Sequence, residues 1–105
     1  MALALQGAFE AARDDPAFEG HFPARPILPG VALVARALDA LERATGTHAS
    51  DWRLENAKFA SPVAPGTRLE MRHQEEAPGR VRFEIRAGER LVAAGLFARR
   101  EADTP

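Results

Sequence analysis

The chain has no cysteine. That excludes disulfides, thiolate nucleophiles and the usual structural zinc sites. It also fits a reducing compartment, so a cytoplasmic location is expected. There is no surplus of one charge either. Fourteen Lys and Arg stand against fifteen Asp and Glu, a formal net charge of −1. Neither nucleic acid nor an anionic membrane is implied as a partner. No apolar run approaches the roughly 20 residues a membrane-crossing helix needs. The opening "MALALQGAFEAARDD" lacks the basic start and long apolar stretch of a secretion signal. No internal repeat or low-complexity segment is found. The 105 residues fit one domain, expected over 1–100, with a frayed tail at 101–105.

Proline and glycine are present and concentrated. "EGHFPARPILPGV" (Glu19 to Val31) packs three prolines, two glycines and a histidine into thirteen residues. Pro23, Pro26 and Pro29 remove backbone donors and fix φ, so this stretch reads as a stiff loop. Pro29 suits a helix start, where its missing N–H costs nothing. "GVALVARALDALERATG" then reads as one helix over about 30–45, stopped by Gly46. Its apolar stripe is expected along Val31, Val34, Leu38 and Leu41, with Ala35 within it. Arg36, Asp39 and Arg43 fall on a polar flank at spacings that allow ion pairs.

The remaining segments read as strands. "LALQGAFEAA" (Leu3 to Ala12) alternates imperfectly and is a first strand candidate. "WRLENAKFAS" (Trp52 to Ser61), "TRLEMRHQEE" (Thr67 to Glu76), "RVRFEIRA" (Arg80 to Ala87) and "RLVAAGLFARR" (Arg90 to Arg100) follow, separated by "PVAPG", "APG" and "GE". One helix must bury its stripe, and a curved antiparallel sheet is the partner at hand. The order predicts an α+β hot-dog fold, with about five strands wrapped around one central helix. Trp52 is expected in the core or an interface. His48 and His73 are expected to be structural. Three separated histidines without matching carboxylates make no metal site.

His21 can take or give a proton near neutral pH, and its prolines would hold it in place, so it is a candidate general base. The alternative is an ordinary polar loop residue. Gly30 opens the helix, and its N–H, helped by the helix dipole, could polarise a carbonyl oxygen. A base and such an amide suit proton abstraction beside a carbonyl. Arg80, Arg82, Arg86, Arg90, Arg99 and Arg100 enrich the last strands. They are either a solvated face or a docking surface for an acidic or phosphorylated partner.

"DDPAFEGHFPARPILPGVALV" resembles the active-site segment of the β-hydroxyacyl-acyl carrier protein dehydratases (the FabZ/FabA type). Gly20, His21, Phe22, Pro23, Pro26, Pro29, Gly30 and Val31 match that segment at its spacing. "AKFASPVAPGTRLEM" and "AGERLVAAGLF" resemble later segments of the same family. The match runs from about Phe9, so the elements that many members carry before this point are expected to be missing or shortened. The resemblance implies that His21 removes the α-proton of a 3-hydroxyacyl thioester and that the Gly30 amide holds the thioester oxygen. It implies a substrate tunnel lined by Phe22, Pro29, Gly30, Val31 and Ala35. The substrate would ride on acyl carrier protein or coenzyme A, in fatty-acid-like or polyene biosynthesis, with no cofactor. The implied assembly is a homodimer with shared sites, or a heterodimer.

One departure stands out. The family's catalytic acid lies fourteen residues after the histidine, and that position is Ala35. The acid is then either Asp39, one helical turn further along the same face, or an ordered water, or it is absent. With Asp39 the alternative is a solvated carboxylate paired to Arg36 or Arg43. Without an acid the chain is a thioesterase, an acyl-thioester or carrier-protein binding module, or the inactive half of a heterodimer. A related branch pairs its histidine with an aspartate five residues earlier. That position is Pro16, while Asp15 and Glu19 read as solvated loop carboxylates.

Overall fold

The computed structural model describes residues 4–10 and 30–100. Strand β1 is Ala4–Glu10 and helix α1 is Gly30–Thr45. A 3₁₀ turn, Ala49–Asp51, leads into β2, Trp52–Phe59. Then come β3 (Arg68–Ala77), β4 (Arg80–Ala87) and β5 (Arg90–Arg99). They form one five-stranded sheet in the order β1-β3-β4-β5-β2, antiparallel at every pairing. The strands before and after the helix in sequence are thus the two edges of the sheet. Helix α1 crosses one face between them, and this is the expected α+β hot-dog arrangement.

Alternation builds that face. Leu69 and His73 of β3, Val81, Phe83 and Ile85 of β4, and Ala93 and Phe97 of β5 are buried under the helix. Their neighbours in β3 and β4 (Arg68, Glu70, Arg72, Arg80, Arg82) face solvent, as period-2 patterning requires. The register sets Glu70 opposite Arg86 and Arg72 opposite Glu84, so the outer face is a ladder of opposite charges. Two-residue turns join the last three strands. Gly79 and Gly88 there hold φ of 74° and 62°, a region glycine enters without steric cost. Gly46, at φ 69°, ends the helix as expected, its N–H bonded to the Glu42 carbonyl at 2.9 Å.

The helix rests on the sheet along a line shifted from the expected one, which keeps Leu41, Val34 and Leu38 and replaces Val31 and Ala35 by Leu33 and Ala37. Its buried side is Leu33, Ala37 and Leu41, with Ala32, Val34 and Leu38 partly covered. Val31 is 76 % exposed and Ala35 is exposed. The reason is composition. Alanines at 32, 35, 37, 40 and 44 suit either a core or a surface, so the apolar pattern does not fix the rotation. A polar contact marks the true contact line: the Nε2–H of His73 donates to the Ala37 carbonyl at 2.8 Å. A small residue at 37 permits that approach.

Trp52 is buried, and its Nε1–H donates to Thr47 Oγ1 at 2.8 Å, tying β2 to the end of the helix. His48 heads the 3₁₀ turn, its N–H bonded to the Asp51 carboxylate at 2.9 Å. That turn was not foreseen from the sequence. No described helix is long and apolar enough to cross a membrane.

Candidate active site

His21, Phe22 and Pro29 lie outside the described residues, as does the tail 101–105. The rest of the expected site is on α1. Gly30 is the first helical residue, so its N–H lies in the first turn, where helix amides have no partner within the helix. Val31, Ala35 and Asp39 follow at intervals of four and share one face. All three are exposed. The structure therefore gathers the helix's candidate residues into one open strip that begins at Gly30.

Asp39 is ion-paired. Arg43 Nη2 lies 3.2 Å from Asp39 Oδ2, across one helical turn, with the side chains 80 % and 55 % exposed respectively. So open a pair contributes little to stability, and the carboxylate can change partner at small cost. Ala35 offers no proton donor or acceptor on its side chain.

Beside the helix start lies a contact that sequence reasoning missed. The Phe59 ring, at the end of β2, sits directly against the Cα of Gly30. A Cβ added at Gly30 would fall 2.7–2.9 Å from three ring carbons. Phe59 is 51 % exposed all the same. The signal was present as an aromatic at a strand end and a glycine at a helix start, but nothing local links residues so far apart. Leu54, on the same strand, is 42 % exposed. Among the described residues β2 is an edge strand, so Leu54 and Phe59 lie on a strand with one side unpaired.

At the other end of β2, Arg53, Arg80, Arg99 and Arg100 line an open cleft of about 630 Å³ around the Pro78–Gly79 turn. Glu55 serves two of them. Arg80 makes a bidentate contact to it at 3.1 and 2.8 Å, and Arg53 reaches it at 3.0 Å. These hydrogen bonds hold the Glu55 carboxyl below its ordinary pKa, Arg80 being the larger cause. Arg99 and Arg100 have no side-chain partner among the described residues. Of the other arginines in the last strands, Arg82 pairs with Glu76 and Arg86 with Glu84.

A family model described as ApeI-like, ApeI dehydratase, matches residues 3–96. Among curated proteins, a 3-hydroxyacyl-acyl-carrier-protein dehydratase FabZ of Rhizorhabdus wittichii is 33 % identical over 105 positions, covering 84 % of this chain and 64 % of that protein. One from Brucella ovis is 44 % identical over 64 residues, covering 53 % of this chain and 41 % of its own. The chain thus spans less than two thirds of these relatives. Among solved structures, the dehydratase heterocomplex ApeI:P from Xenorhabdus doucetiae aligns with a TM-score of 0.76 at 24 % identity, over 90 % of this chain and 85 % of that one. The dehydratase domain of PpsC from Mycobacterium tuberculosis, solved with C12:1-CoA, aligns at 0.75 and 21 % identity, over 97 % and 40 %. At such identities the likeness speaks for the fold: one helix crossing a five-stranded antiparallel sheet.

Proposed function

The chain belongs to the ApeI-like dehydratase family, and from that premise we propose that it removes water from a 3-hydroxyacyl thioester, carried on acyl carrier protein or coenzyme A. The observation that carries this reading is the exposed helix strip opening at Gly30, with "GHFPARPILP" directly upstream. His21 takes the C2 proton. The Gly30 N–H stabilises the negative charge that gathers on the thioester oxygen. The C2 electrons form the C2–C3 double bond, and the C3 hydroxyl leaves with a proton as water. No cofactor enters. Phe22, Pro29, Val31 and Ala35 line the acyl path.

The leaving hydroxyl needs a proton, and Ala35 has none to give. Asp39 lies one turn beyond it on the same strip and would act once it turns from Arg43. A second reading rests on the same gap. The edge of β2, unpaired among the described residues and carrying the exposed Leu54 and Phe59, suits pairing with another hot-dog chain. In a homodimer each copy completes the other's site. In a heterodimer the partner supplies the acid and this chain supplies the scaffold. The four-arginine cleft fits an acidic carrier protein or the phosphate of its pantetheine arm.

The test compares the wild type, Ala35→Glu and Asp39→Asn on 3-hydroxydecanoyl thioester, followed by enoyl absorbance. Asp39→Asn is expected to lose activity on the order of a hundredfold, the scale of a general acid. Ala35→Glu is expected to restore it in the Asp39→Asn background. An unchanged rate in Asp39→Asn removes Asp39 from the mechanism. Thioester bound but never turned over leaves the binding-subunit reading.

A further inference from the structure

Gly30 poses a question that its backbone does not answer. Its φ lies outside the left-handed region that favours glycine. In a helix, alanine is the better former. The space around it favours glycine: the Phe59 ring occupies the volume where a Cβ would go, with ring carbons at 2.7, 2.9 and 2.9 Å, so a larger residue displaces the ring or the turn. This is a steric lock between the first residue of α1 and the last residue of β2. On the β2 side it is anchored by the pairing of Phe59 with Ala93 of β5, and the following residues continue that anchor. Ala60 N–H bonds the Val92 carbonyl at 2.8 Å, and Ser61 Oγ bonds the Leu91 carbonyl at 3.0 Å.

Only part of Phe59 is used by this contact, since the residue stays 51 % exposed. An aromatic side chain left half in water forgoes much of the stabilisation that full burial of a large apolar side chain yields. A bound apolar group lying against it would recover that.

We propose that Phe59 is a positioning and specificity residue: its ring, seated on Gly30, fixes the first turn of α1 and forms the wall against which the first carbons of the acyl thioester lie. This rests on the dehydratase reading for the identity of the substrate. The lock itself does not. The placement accounts for both features at once, a glycine where alanine would be favoured and an aromatic left half open. With the ring held in place by the β2–β5 pairing, a methyl at 30 displaces the first turn instead, and a shift on the order of 1 Å moves its amide off the thioester oxygen. Misplacement on that scale costs on the order of a hundredfold in rate.

The experiment is a crossed pair of substitutions, Gly30→Ala, Phe59→Leu and the double variant, on the full chain. The readouts are kcat and KM for 3-hydroxybutyryl- and 3-hydroxydecanoyl-CoA, with thermal midpoints as the control for folding. Gly30→Ala is expected to lower kcat on the order of a hundredfold. Phe59→Leu, which removes the outer ring carbons, is expected to raise KM and to change the ratio between short and long substrate. The double variant is expected to recover most of the kcat lost in Gly30→Ala. The proposal is overturned if the double variant is no better than Gly30→Ala, or if Phe59→Leu leaves both KM values unchanged. If the wild type turns over neither thioester, the dehydratase reading falls. The lock is then judged by calorimetric affinity for decanoyl-CoA. The same crossed rescue is expected there, and equal affinity in all four proteins overturns it.

Discussion

Among the described residues, His73 is the polar side chain that the core encloses, at 1 % exposure. Burial pushes its pKa down, and the hydrogen bond to the Ala37 carbonyl only partly offsets this. Burial thus favours the neutral imidazole in the folded state. Above about pH 6.5 the imidazole is neutral in the unfolded chain too, and His73 adds no pH dependence. Below it the unfolded chain takes up a proton that the core resists, so stability falls as pH drops toward the lowered folded pKa. Thermal midpoints between pH 7.5 and 5 should decline more in the wild type than in His73→Gln. Equal slopes would show that His73 does not titrate across folding. Gly95 is a second point of tight packing. A Cβ there would meet the Asn56 carbonyl oxygen at 2.5 Å and the Phe83 ring at 2.6 Å. Phe83 itself stacks on Phe97 at 5.0 Å. Gly95→Ala should destabilise by about 1–3 kcal/mol in denaturant titrations, the cost of overpacking a core. The alternation of β3 placed His73 on the apolar side in the sequence, so its structural role was legible. The constraint at Gly95 was not, because it depends on a ring and a carbonyl from two other strands.

At the scale of elements, the strands were the easiest to read. Strict alternation gave β4 its full range, Arg80–Ala87, and proline and glycine marked the turns around it. The helix was legible in extent and only partly in rotation: Leu41 is buried and Val34 and Leu38 pack against the core as expected, while Val31 and Ala35 are exposed. Val31, the branched apolar residue closest to the helix start, looked like core, and it faces out. Ala37, with little side chain to read, is fully buried and its carbonyl takes the His73 hydrogen bond. The observed rotation makes a direct prediction. Leu33→Ala or Leu41→Ala should cost about 2–5 kcal/mol, as a cavity in a packed core does. Val31→Ala should stay within about 0.5 kcal/mol, as exposed substitutions do. A large cost at Val31 in the free chain would mean that this face is covered. The edge strand β2 belongs at this scale as well. Its role as an edge follows from sheet order, which no local pattern encodes.

For the whole molecule, the balanced net charge conceals an uneven surface. Carboxylates cancel arginines across β3 and β4, while the cleft at the start of β2 keeps four arginines around one Glu55. Sequence showed the arginine-rich strands, but only folding brings Arg53 to Arg80, Arg99 and Arg100. Pairing along β2 predicts a dimer by light scattering, converted to monomer by Leu54→Arg. A monomeric wild type would contradict that pairing. The candidate site divides between what sequence can carry and what geometry must supply. "GHFPARPILPG" is contiguous and legible, and so is the alanine at position 35. The Phe59–Gly30 contact joins residues 29 apart in the chain and appears only in three dimensions.

We propose His21 as the base of a thioester dehydratase. That role is tested most directly by the rate of enoyl formation from 3-hydroxydecanoyl thioester in the wild type and in His21→Asn. The prediction is measurable turnover in the wild type and a loss on the order of a hundred- to ten-thousand-fold in the variant, with circular dichroism unchanged. Equal rates in the two proteins, or no enoyl product from the wild type, would contradict it.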